Sequence, residues 1–277
     1  MRLGPAAIPF RYGRHPAQVV DLHLPVGDTA GPTVGPVTDG RPVAVAVLVH
    51  GGYWRARYGR QLQHPVAADL TARGWAVWNV DYRGVAPGRS DHGGWPGTFQ
   101  DVAAAIDLLA VAAAEHGLPL HRTGIVGHSA GGALALWAAG RHRLPPGAPG
   151  ANPLVRPAAV VAQAAICDLV SGARDGLGSG AVVDLMAMPP HQGADRYRLA
   201  SPSALLPLDL PVLLVTGADD DTVPPSQSTR FAAAARAAGD DVTLEVMPGE
   251  GHFGHLDPAA PIWHYAVDWL AGRLLPG

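Results

Sequence analysis

Thr123-Gly124-Ile125-Val126-Gly127-His128-Ser129-Ala130-Gly131-Gly132 joins a short apolar run to an alanine-rich one through the pattern Gly-x-Ser-x-Gly. It reads as strand, tight turn, helix. A serine on such a turn sits at a crowded, strained backbone position. Residues without side chains at Gly127 and Gly131 let the two backbone segments pass close together. Ser129 Oγ would then stand at the carboxyl edge of a sheet. The amide of Ala130, at the N-terminus of the following helix, would point where a substrate oxygen gains negative charge. The pentapeptide alone is common in a chain with 35 glycines, so the reading rests on what surrounds it.

The chain has 277 residues, 48% hydrophobic and 16% charged. That excludes a disordered chain and suits a sheet buried on both faces by helices. The formal net charge is −3, and all 20 basic residues are arginines scattered without a run. This leaves no footprint for nucleic acid or an anionic membrane. A single cysteine, Cys167, rules out an internal disulfide and favours a reducing compartment. No signal peptide is evident at the N-terminus, and no later run is expected to reach the roughly 18 apolar residues of a membrane span. A cytoplasmic protein is expected. No His/Asp pair has the spacing of a metal site.

Along the chain, residues 18–24 alternate as an edge strand with one wet face would, and 27–42 is loop-like. Residues 43–49 form a continuous β-branched run, the pattern of a central strand, ending in His50-Gly51-Gly52-Tyr53-Trp54. A helix is expected over 61–73 and a strand over 75–80, ending in Asp81-Tyr82-Arg83. Thr98-Phe99-Gln100-Asp101 resembles a capping box opening one helix that Gly117 closes. Strands at 158–165, 211–216 and 242–247 alternate with helices at 130–140, 227–238 and 261–270. Residues 168–206 break this rhythm and read as an irregular cap. Repeated strand–helix units imply a parallel sheet with right-handed crossovers in one domain, 1–277.

A serine hydroxyl needs a base, and the base needs an acid to hold its tautomer. Gly217-Ala218-Asp219-Asp220-Asp221-Thr222-Val223-Pro224 and Pro248-Gly249-Glu250-Gly251-His252-Phe253 each follow a predicted strand. Acid and base therefore leave the carboxyl edge of the sheet, where open α/β sheets place their sites. Asp220 is the chosen acid, with Asp219 and Asp221 as alternatives. His252 is the chosen base, because flanking glycines let its loop fold over the edge, and His255 is the second choice. The glycines after His50 allow the amides of Gly52 and Tyr53 to complete an oxyanion hole with Ala130, while His50 braces the loop. Trp54, His128 and Phe253 form the expected substrate-binding set, with a plain core aromatic as the alternative for Trp54 and packing under the elbow as the alternative for His128.

Together these segments resemble the α/β-hydrolase superfamily over nearly the whole chain. His50-Gly51-Gly52-Tyr53-Trp54, Gly127-His128-Ser129-Ala130-Gly131 and Asp81-Tyr82-Arg83 are similar to its branch of arylformamidases and small carboxylesterases. The Gly-x-x-Asp-x-x-Val-Pro spacing at Asp220 and the His252 loop also fit. The resemblance implies a mostly parallel eight-stranded sheet flanked by helices, with a short cap. It implies hydrolysis of a small-molecule ester or amide through an acyl-enzyme, with no cofactor and no metal. Small or aryl esters lead, and N-formyl or aryl amides follow. A peptidase and a catalytically silent binding protein are the remaining readings, and a homodimer is compatible with any of them.

Overall fold

The computed structural model describes residues 7–25, 42–86, 88 and 91–276. Of the expected loop at 27–42, all but residue 42 lies outside the described residues, as do residues 1–6. Eight strands form one sheet in the order β1-β2-β4-β3-β5-β6-β7-β8. These are β1 (Ile8–Arg11), β2 (Val19–His23), β3 (Val45–Val49), β4 (Ala76–Val80), β5 (Thr123–His128), β6 (Ala159–Gln163), β7 (Val212–Gly217) and β8 (Val242–Met247). Strands β4 to β8 run parallel with β3, and only β1–β2 and β2–β4 pair antiparallel.

β3 to β7 are buried along their length because both faces are covered, which is why β3 reads as an unbroken apolar run. One face carries α1 (His64–Ala72) and α9 (Pro261–Leu274). The other carries α2 (Gly97–Asp107), α3 (Leu109–His116), α4 (Ala130–Ala139) and α8 (Ser226–Ala238). All ten residues of α4 are buried, as expected for a helix that is apolar all round. It packs on β5 and β6 directly behind the turn at Ser129.

Several expectations are corrected. The strand at 18–24 is not an edge: β1 pairs outside it, and the first four residues of β2 are buried. β1 is only four residues long and contains Pro9, too little pattern to read. The helix at 98–117 is two helices that meet at Leu108. Thr98 does not cap it: its hydroxyl donates to the Arg83 carbonyl and accepts from the Gly94 amide. Asp101 instead pairs with Arg83.

This Gly97–His116 run, at mean hydropathy 1.4, is long and apolar enough to span a membrane. No such run was expected, because alanines supply much of its apolar character. Val102, Ala105, Ile106, Leu109 and Ala112 bury its inner face in the sheet's core. The cap at 168–206 is helical rather than irregular, with α5 (Leu169–Arg174), α6 (Leu177–Met186) and α7 (Ala194–Ala200). Left-handed backbone at Gly178, Ser179 and Gly180 breaks the period that would have marked α6.

A Cβ added at Gly131 would overlap the carbonyl oxygens of Val49 and His50, backbone atoms fixed by the sheet. A Cβ at Gly117 meets nothing within 4 Å, although its φ is +67°. Gly117→Ala should therefore cost about 1–2 kcal/mol, whereas Gly131→Ala should cost more than about 4 kcal/mol. Urea unfolding of both variants checks the difference, and equal losses would contradict the close crossing of α4 and β3.

Candidate active site

Ser129 lies between β5 and α4 with φ 57° and ψ −122°, a strained conformation for a residue with a side chain, worth about 1–3 kcal/mol. Three features hold it there. Its amide donates to the Gln163 carbonyl at the end of β6 (2.7 Å). A Cβ on Gly127 would overlap the Gly131 carbonyl, and a Cβ on Gly51 would stand 3.0 Å from Ser129 Cβ. The hydroxyl is not spent on capping α4.

The acid and base loops leave β7 and β8 side by side and are joined through their backbones. Ala218 donates to the Met247 carbonyl (2.9 Å) and Asp219 to that of Glu250 (3.0 Å). Within this frame Asp220 is buried while Asp219 and Asp221 are exposed, which selects among the three aspartates. Asp220 Oδ1 accepts from the amides of Thr222 (2.9 Å) and Val223 (2.8 Å), and Oδ2 accepts from His252 Nδ1 (2.8 Å). Burial pushes the Asp220 carboxyl upward, but the His252 ring and these amides more than offset it, so its pKa lies below the ordinary value. With its hydrogen on Nδ1, His252 keeps Nε2 free to accept a proton. Among the described residues no hydrogen bond joins the Ser129 hydroxyl to that nitrogen. Such contacts commonly tighten only with substrate present.

Gly52, Tyr53 and Trp54 have φ of 102°, 50° and 55°, so the chain turns left-handed three times in succession just after β3. Among the described residues no carbonyl accepts from the amides of Gly52, Tyr53 or Ala130. The loop is braced from below by His50, as expected, together with groups to which the sequence reading gave no bracing role. His50 places one ring nitrogen on the Gly51 carbonyl (2.8 Å) and the other on Asp81 Oδ1 (3.2 Å), and stacks on Tyr82 at 4.2 Å. Arg60 ties Asp81 to Asp21 (2.9 and 2.6 Å). The Asp81-Tyr82-Arg83 motif was the visible signal of this brace, but Arg60 carried none.

Burial corrects the expected substrate-binding set. Trp54 is 1% exposed, and its indole donates to the Ala130 carbonyl (3.0 Å), so it supports the elbow from inside. His128 is likewise buried, and its Nε2 donates to the His252 carbonyl (2.8 Å). Only Phe253, 66% exposed, presents its ring to solvent, 5.0 Å from the His252 ring and perpendicular to it. His255, the second candidate base, is buried against His128 (5.7 Å between rings) without a hydrogen-bond partner.

Burial, with the nearby His252 ring, lowers the His128 pKa to about 3. His255 is pushed well below its ordinary value by burial and by His128 and His252. Both rings are neutral in the fold, whereas an unfolded histidine gains a proton near 6.5. Below that value the unfolded chain binds more protons, so stability should fall as the pH drops below 6.5, by up to about 1.4 kcal/mol per pH unit for a ring that stays neutral in the fold. Urea unfolding between pH 7 and 4.5 tests this. His255→Gln should flatten the slope, and an unchanged slope would remove His255 from the account.

The model of the family described as BD-FAE, an α/β-hydrolase family, matches residues 34–234. Esterase LipQ of Mycobacterium tuberculosis is 27% identical over 259 residues, 88% of this chain. The chain spans 59% of that relative's length. Among solved structures, a truncated carbohydrate esterase from gut microbiota superposes with a TM-score of 0.77 at 22% identity, covering 97% of this chain and 96% of the other. The carboxylesterase Cest-2923 from Lactobacillus plantarum WCFS1 gives 0.75 at 20% identity, covering 98% of each. At such identities these likenesses speak to the fold. The match across most of the chain, on a sheet whose strand ends carry the serine elbow and its partner loops, places this protein in the BD-FAE family of α/β-hydrolases.

Proposed function

We propose that this protein is a serine hydrolase that cleaves carboxylic esters of small or aryl substrates through an acyl-enzyme. The observation that carries the reading is the His252–Asp220 hydrogen bond at 2.8 Å, with the His252 backbone held by His128, the neighbour of a strained serine whose hydroxyl is not used as a helix cap. The esterase name of the LipQ relative supports it.

In this reading Ser129 Oγ attacks the ester carbonyl carbon while its proton passes to His252 Nε2. Asp220 holds the imidazole in the accepting tautomer and stabilises the imidazolium that forms. The carbonyl oxygen becomes an oxyanion facing the amides of Gly52, Tyr53 and Ala130, each typically worth roughly 3–4 kcal/mol of barrier. The carbon–oxygen bond to the alcohol breaks, the alcohol takes the proton from His252, and the acyl group stays on Ser129. Water then repeats the sequence and releases the acid. Phe253 forms the outer wall beside the base. The buried unpaired thiol of Cys167 fits action in a reducing compartment such as the cytoplasm.

Hydrolysis of p-nitrophenyl acetate by the wild type should fall by roughly 10⁴–10⁶ in kcat for Ser129→Ala and by about 10⁴ for Asp220→Asn. A fluorophosphonate probe should label Ser129. Turnover of N-formylkynurenine in place of esters would move the assignment to amide hydrolysis. An inert, unlabelled wild type would support a binding protein instead.

A further inference from the structure

A cavity of about 570 Å³ opens on the loop that follows the candidate oxyanion-hole residues, lined by Tyr53, Arg55, Arg57, Tyr58, Val85 and Ser179 among others. It adjoins the reaction centre. Tyr53 is one of the expected oxyanion donors, and its hydroxyl donates to the carbonyl of Thr222 (2.8 Å), whose amide in turn holds Asp220. The Tyr58 ring packs against Gly52 so closely that a Cβ there would lie 2.6 Å from its Cγ. The opposite wall is the left-handed stretch of the cap at Gly178 and Ser179, and Gly178 lies against the Tyr53 ring.

The two cations on this wall are not equivalent. Arg55 is neutralised by Asp184 (2.7 Å). Arg57 has no carboxylate partner among the described residues, and its guanidinium lies over the Tyr58 ring, 4.9 Å from the centroid. That stacking orients the guanidinium plane but leaves its N–H groups unspent. Arg57 is exposed, and a neutral acyl or alcohol chain seated against it would return no hydrogen bond. A carboxylate would return two parallel charge-assisted ones.

We infer that the cavity is a subsite for esters bearing a carboxylate remote from the scissile bond, with Arg57 as the residue that recognises it. The inference rests on the ester-hydrolase reading above and deepens it.

Two substrate pairs test it and distinguish the side of the ester that enters. Mono-4-nitrophenyl glutarate against its methyl ester places the charge on the acyl side, and 4-acetoxybenzoate against its methyl ester places it on the alcohol side. In at least one pair the wild type should favour the carboxylate in kcat/KM. Arg57→Ala should lower that ratio about three- to tenfold, mainly through KM, the range for a partly solvated ion pair. Arg57→Lys should restore part of it, and added NaCl should erode it. Ratios near one in both pairs, or a ratio that Arg57→Ala leaves unchanged, would overturn the subsite while leaving the hydrolase reading intact. If no ester is turned over, calorimetric titration of the wild type with glutarate and with 4-acetoxybenzoate decides the matter. Binding weakened by Arg57→Ala upholds the subsite, and no binding, or binding indifferent to the substitution, overturns it.

Discussion

The close crossing of the first turn of α4 over the end of β3 is the constraint on which the rest of this structure depends. Gly131 lies against the carbonyls of Val49 and His50, and Gly127 against the carbonyl of Gly131, so the chain between them has no room for an ordinary turn. Ser129 takes up the geometric difference with a positive φ. The strain is held by interactions elsewhere: the Ser129 amide on Gln163, the burial of all ten residues of α4, and the parallel ladders on both sides of β5. A strained position persists where the surrounding fold overdetermines it.

Electrostatics around that turn follows from burial. His128 lies in ring contact with both His252 and His255, and a cluster of charged rings there would be repulsive and poorly solvated. The low pKa of His128 and of His255 keeps the group compatible with the core. The carboxylate of Asp220 is directed at the one ring that a proton-transfer role requires to become positive. Neutral His128 then serves as a structural donor, fixing the His252 backbone from below.

A second buried carboxylate does comparable work on the opposite flank. Asp81 gathers His50, Arg60 and the Tyr82 amide. Burial raises its carboxyl, and these partners hold it below the ordinary value. The effect is to couple the ends of β2, β3 and β4, so that the loop beginning at Gly51 leaves the sheet at a fixed angle. Arg57, with no carboxylate partner among the described residues, lies farther along the same loop, in the cavity lined by Tyr53 and Tyr58.

Much of this was legible in the chain. An unbroken apolar, largely β-branched run announced β3, because a strand covered on both faces has no wet positions to alternate. The turn at Ser129 and the loops of Asp220 and His252 were legible because glycine spacing and strand-end position are local properties. Other features were not local. Whether 19–23 is an edge depends on β1 adding outside it, and α6 was hidden by three left-handed residues near its start, of which Gly178 lies against the Tyr53 ring. Trp54 and His128 look like pocket walls by sequence position, yet they face inward, since the direction of a side chain is set by what packs behind it. Sequence alone determined which residues could carry the chemistry and in what order along the sheet. Tertiary structure decided which aspartate is buried with the base, which aromatics see solvent and that Arg55 but not Arg57 has a carboxylate partner among the described residues, because burial and pairing belong to the assembled surface.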